Sequence, residues 1–141
     1  MTTDLDPKLV KRIKDLTFEY TDKPQPELLI AIPSGRAKGT IVTHQAPEVS
    51  SLCPLNLHQP DFVILTFTIV PDEWLVELKS LKYYLTSFRQ VQIFHEQLVP
   101  MAKQDLVDLI KPKALNVTGQ YATRGGISTA VVATYDPDRL F

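Results

Sequence analysis

Apolar and polar positions along the chain fall into a few sharply different patterns. Phe62 to Val70 is a dense run of β-branched and aromatic residues, which predicts a strand. Pro71-Asp72-Glu73 ends it in a turn. Leu78, Leu81, Leu85 and Phe88 recur at helical spacing and predict a helix closing near Arg89, with Lys79 and Lys82 together on a neighbouring face. Leu98, Ala102, Leu106, Leu109 and Ile110 predict a second helix that stops before Pro112, its first turns made irregular by Pro100. Leu115 to Ala122 and Ile127 to Tyr135 read as two strands joined by Thr123-Arg124-Gly125-Gly126, a hairpin turn because paired glycines accept positive φ.

The pattern upstream is weaker. Thr40 to His44 is strand-like, and Asp22 to Gly39 reads as loop with one short strand around Leu28 to Ile32, because three prolines and two glycines interrupt it. Asp6-Pro7 followed by Leu9, Val10, Ile13 and Leu16 predicts a short amphipathic helix, with Asp6 as its cap and Pro7 at the first helical position. Helices grouped between strand pairs imply an α+β fold, an antiparallel sheet with helices on one face, rather than a parallel nucleotide-binding sheet. Residues 1–37 read as an N-terminal extension and 38–141 as one domain.

Composition narrows the possibilities. A chain of 141 residues, 44% hydrophobic and 22% charged, suits one domain with a modest core. A formal net charge of -1 gives no global attraction to nucleic acid. The single cysteine excludes an internal disulfide, and with no charged-then-apolar leader at the start the expectation is a reducing cytoplasm. The run Phe62 to Val70 is too short to span a bilayer.

Candidate chemistry centres on Cys53, in SSLCPLNLHQPDF, residues 50–62. A free cysteine is commonly a small buried hydrophobe. Here it reads as part of a loop leading into the strand, stiffened by Pro54 and Pro60, with Asp61 at the strand's start. A thiol of ordinary pKa, ~8.5, is mostly protonated at neutral pH, so a nucleophilic cysteine needs a base or cation nearby. Asp61 is able to take that proton and return it; its plainer role is a turn or cap residue. One cysteine with scattered histidines (His44, His58, His95) lacks the spacing of a zinc site, and no signature of a cysteine hydrolase accompanies His58. Glu77 to Tyr84, ELKSLKYY, reads either as an ordinary amphipathic helix with a basic edge or as a phosphate-recognising one, Lys79 and Lys82 joined by Arg124 and the open backbone at Gly125-Gly126.

Taken as a set, SLCP with QPDF, VPDEWLVELKSLKYYLTSFR, FHE (94–96) and RGGIS (124–128) resemble the single-domain form of the NADPH-dependent 7-cyano-7-deazaguanine reductases, nitrile reductases of queuosine biosynthesis in the tunnelling-fold superfamily. ELKSLKYY fits that family's hallmark motif at every position. The resemblance implies that Cys53 attacks the nitrile carbon to give a covalent thioimide and that Asp61 donates the proton. It implies that Glu77, with Val76 and Leu78 beside it, and His95 with Glu96 bind the deazaguanine, and that Lys79, Lys82, Arg124 and Gly125 bind NADPH, with no metal. It further implies a four-stranded antiparallel sheet with two helices on its concave side, and subunits closing edge to edge into a barrel, in this form a decamer of two pentameric rings. A direct nucleic-acid or membrane partner is not expected.

One departure concerns spacing. Seven residues, 54–60, separate Cys53 from Asp61, where the family pattern has six, so a bulge has to absorb one among Leu55, Asn56, Leu57 and His58. Two alternatives carry different chemistry. One is an amidinotransferase-like enzyme of the same fold that acts on the same kind of nitrile without NADPH, which lacks the ELKSLK-type helix; the other is a non-catalytic purine- or pterin-binding module.

Overall fold

A computed structural model describes residues 5–141, apart from the side chain at position 57. Residues 1–4 of the expected N-terminal extension lie outside the described residues. The chain runs α1 (Pro7–Asp15), β1 (Ala31–Pro33), β2 (Val42–Cys53), β3 (Asn56–Val70), β4 (Trp74–Val76), α2 (Leu78–Thr86), α3 (His95–Ile110), β5 (Ala114–Tyr121) and β6 (Ala130–Tyr135). Short 3-10 turns interrupt the connections, one of them, Ser87–Gln90, carrying α2 on to the expected end near Arg89.

β2, β3, β5 and β6 form one antiparallel sheet in the order β2-β3-β5-β6. Alternation along β3 sends Val63, Leu65, Phe67 and Ile69 to the helix side, where all are buried, while Phe62 and Ile64 stay exposed on the other face. Val117 and Tyr121 of β5 share that core with Leu81 and Leu85 of α2 and Leu98, Val99, Ala102 and Leu106 of α3. α3 crosses β5 at Gly119, where a Cβ would lie 2.6 Å from Val99 Cγ2. Glycine is what lets the helix approach so closely.

Four sequence expectations need correction. β2 runs to Cys53 instead of stopping at His44, because a register shift between Ala46 and Val49 absorbs Pro47 and Glu48; as an edge strand, β2 tolerates a proline. β3 starts at Asn56, so residues 50–61 form a hairpin rather than a loop. α3 passes unbroken through Pro100, which simply withholds one N–H from the carbonyl of Glu96 four residues earlier. β6 starts at Ala130, three residues later than expected, while Gly125 (φ 57°) and Gly126 (φ 78°) make the expected tight turn, with Arg124 and Ile127 exchanging backbone hydrogen bonds.

β1 pairs with β4 in a small second sheet, Ala31 opposite Val76. The pairing presents Glu77 as the N-cap of α2, its carboxylate accepting from the backbone N–H of Lys79 (2.8 Å) and Ser80 (2.9 Å). No described helix is long and apolar enough to cross a membrane.

Candidate active site

The hairpin of β2 and β3 places the first two residues of the site. Ser51 stands directly opposite Asp61, and the register then slips, from Leu52 opposite Pro60 to Cys53 opposite Asn56. Residues 57–59 thus bulge out with nothing across from them, which accommodates the longer spacing. Asp61 lies inside β3, on the buried face, and Cys53 ends β2 two residues beyond Ser51, partly buried.

A second connection brings in the other residues. Leu52 donates its N–H to the Val91 carbonyl (2.9 Å) and accepts from Ile93 N–H (3.0 Å), pinning the end of β2 beside the segment that leads into α3. The first residue of that helix, His95, directs Nε2 to Asp61 Oδ2 at 3.3 Å. Arg124, from the β5–β6 turn, places Nη1 on Asp61 Oδ1 and on the Pro60 carbonyl (3.3 Å). The Asp61 side chain is only 6% exposed, so its charge is balanced by two cation-capable groups rather than by water.

Tyr121 holds the histidine from below. Its ring stacks on His95 at 3.7 Å and 9°, and its hydroxyl donates to the His95 carbonyl at 3.1 Å. Burial, reinforced by the negative charge of Glu96, pushes the Tyr121 phenol well above its usual range, so it remains a donor. Glu96, in the first turn of α3, is exposed and open to a ligand.

The remaining expected site residues are elsewhere. Glu77 is occupied as a cap, Val76 is buried in the small sheet, and Leu78 is exposed. Lys79 Nζ donates to the carbonyls of Ile13 (2.8 Å) and Lys14 (2.9 Å) at the end of α1 and lies 5.4 Å from the Tyr83 ring. Lys82 lines a groove of about 590 Å³ between β2 and α2, with Arg89, His44 and Glu48 along its walls and Phe67, Leu81 and Leu85 also lining it. Burial holds the His44 imidazole below its usual range. Gly125 is at the exposed tip of the β5–β6 turn. Asp61, His95 and Arg124 thus meet in one cluster, with Cys53 two residues along β2 from the Ser51 opposite Asp61, whereas Lys79 is held by α1 and Lys82 lines the groove.

Two residues of the site went unread. Tyr121 was legible only as the last buried position of an alternating strand. Ser51, whose Oγ is buried with no hydrogen-bond partner among the described residues, had no signal beyond standing two residues before the cysteine.

This arrangement, an antiparallel α+β layer with a thiol, a clamped carboxylate and a stacked histidine at one end, defines a tunnelling-fold protein with a polar site at the sheet's rim. Residues 60–139 match the family described as QueF-like protein. The chain is 47% identical over 116 residues to the NADPH-dependent 7-cyano-7-deazaguanine reductase of Caldicellulosiruptor bescii, covering 82% of this chain and 88% of that one. It is 46% identical over 112 residues to the protein of the same name from Exiguobacterium sibiricum, covering 79% of this chain and 66% of that one. The crystal structure of the archaeosine synthase QueF-Like in its apo form superposes with a TM-score of 0.62 at 21% identity, over 67% of this chain and 92% of that one. The chain belongs to the QueF-like family.

Proposed function

We propose that this protein reduces the nitrile of 7-cyano-7-deazaguanine to an aminomethyl group with NADPH, a step of queuosine synthesis. The observation that carries this reading is that β2, which ends at Cys53, sets Ser51 opposite the Asp61 of the Asp61–His95–Arg124 cluster, in a chain 47% identical to a reductase of that name.

Nitriles resist direct hydride attack, and a thioimide is the more electrophilic carbon. Cys53 passes its proton to Asp61 and its sulfur bonds to the nitrile carbon; the triple bond becomes C=N, and Asp61 returns the proton to nitrogen. Glu96 accepts hydrogen bonds from the guanine-like edge, and His95, held flat by Tyr121, presents its ring to the same base. NADPH supplies hydride, and nitrile to amine requires two such deliveries. Lys82 suits the cofactor's phosphates, since it borders the groove on an exposed helix edge. Lys79 and Arg124, expected to share that duty, are already engaged with α1 and Asp61.

Assembly belongs to the same reading. β2 and β6 leave two open sheet edges, and closing subunits edge to edge into a barrel removes them.

Mixing the protein, the nitrile and NADPH and following nicotinamide absorbance tests the activity. The expected result is loss of two NADPH per nitrile; addition of ammonia to the nitrile with no NADPH consumed would instead indicate amidinotransferase-like chemistry.

A further inference from the structure

Arg124 stands in the RGG turn, where phosphate binding is the obvious use of a guanidinium. Its position says otherwise. Nη1 rests on Asp61 Oδ1 and on the carbonyl of Pro60, so the side chain spans from the β5–β6 turn to the middle of β3 and is committed to the one buried carboxylate of the site. Its own side chain is 37% exposed while that of Asp61 is 6% exposed, so Arg124 also covers the carboxylate from solvent. We propose that Arg124 is a positioning residue that acts through Asp61 in the bond-forming step at Cys53, before any cofactor is needed.

The physical reason lies in the proton balance of that step. Asp61 must begin as a carboxylate to accept the thiol proton, and it must be aimed so that the same proton reaches the nitrile nitrogen. No oxidant or reductant takes part: one S–H bond and one C–N π bond break, one C–S and one N–H bond form. A buried carboxylate without a cation favours its neutral form, and a guanidinium in contact opposes that. Few groups among the described residues stand at Asp61. β2 sets Ser51 directly opposite, with Cys53 two residues further along the strand, α3 offers His95 with Glu96 next to it, β5 offers Tyr121 through the His95 ring, and Arg124 is the permanently charged one among them. Anchoring by the Pro60 carbonyl fixes the guanidinium in direction as well as in charge.

This inference rests on the proposed thioimide chemistry, and the test separates the two. Protein is mixed with 7-cyano-7-deazaguanine and no NADPH, and the rate of covalent adduct formation is read by intact mass across pH for the wild type, Arg124→Gln and Arg124→Lys, with melting temperature as a check of folding. The expected result is an adduct rate lowered about tenfold or more in Arg124→Gln near neutral pH, its rise with pH displaced upward by about one unit, and a rate close to wild type in Arg124→Lys. If Arg124→Gln forms adduct at the wild-type rate and pH profile while its NADPH requirement rises, Arg124 is a cofactor ligand and the proposal is overturned. A slower rate in both variants with an unmoved pH profile marks a merely structural role and overturns it too. Should Arg124→Gln not fold, Arg124→Met takes its place, with the same expected and overturning results. A wild-type protein that forms no adduct at any pH removes the thioimide reading, and this proposal with it.

Discussion

At the scale of single residues, what the site does depends on which oxygen-bearing groups are committed and which are free. Asp61 is buried, clamped by Arg124 and His95, and opposite Ser51. His58 is exposed, in the bulge. Asp61→Asn is therefore expected to lower turnover by a hundredfold or more, on the order of a lost general acid-base group, while His58→Ala changes it little; steady-state rates with saturating nitrile check this, and the reverse ranking would move the acid to His58. A second carboxylate shows the same physics without catalysis. Burial raises the Asp105 pKa above its ordinary value, opposed by the hydrogen bond it accepts from Tyr84 Oη (2.5 Å), with Asp108 and Glu27 adding to the rise. A carboxyl whose pKa is raised on folding stabilises the fold below its unfolded value, about pH 4, and that contribution is lost as pH climbs through the folded one. Asp105→Asn keeps an acceptor for Tyr84 and removes the charge. Its melting temperature should equal or exceed that of the wild type at neutral pH, with the difference vanishing near about pH 4; a large loss at neutral pH would contradict this.

At the scale of elements, the segments that position the site were legible in unequal degree. The long helices and the strand Phe62 to Val70 follow from periodicity, and the paired glycines of the β5–β6 turn announce their left-handed φ values. The β2–β3 hairpin was hidden because Pro47, Pro54 and Pro60 are read locally as breakers, whereas an edge position and a bulge make prolines harmless there. For the same reason Asp61 was placed at the start of a strand and not within it. Neither the small β1–β4 pair nor the grip of Lys79 on α1 carries a local signature, since both join segments far apart in sequence. That grip makes a prediction. Lys79 Nζ donates to two carbonyls at the end of α1, that of Lys14 and that of Ile13, which also accepts the Leu16 N–H, a charged contact at a helix C-terminus. Lys79→Ala should destabilise the full chain by about 1 kcal/mol, discounted for exposure, and should have no further effect on a chain lacking residues 1–16. Denaturant melts of the four combinations measure the coupling; equal effects in both backgrounds would refute the contact.

For the molecule as a whole, fold and chemistry meet at one end of the sheet. The hydrophobic layer formed by β3, β5, α2 and α3 fixes the strand ends and the start of α3, and the polar residues at those ends converge as a consequence. Gly119 permits α3 to lie close on β5 and so keeps His95 within reach of Asp61. The resemblance in SLCP, ELKSLKYY, FHE and RGGIS marked most of the residues that converge. It did not separate them into the cluster around Asp61 and the groove between β2 and α2, because that division arises from packing between elements. The central claim is that the Cys53 sulfur bonds to a cyano carbon while Asp61 moves the proton. Intact-mass measurement of the protein after exposure to 7-cyano-7-deazaguanine alone tests it most directly: the wild type should gain the full mass of the nitrile on Cys53 and Cys53→Ala should gain nothing, whereas an unmodified wild type, or an adduct that persists in Cys53→Ala, would contradict it.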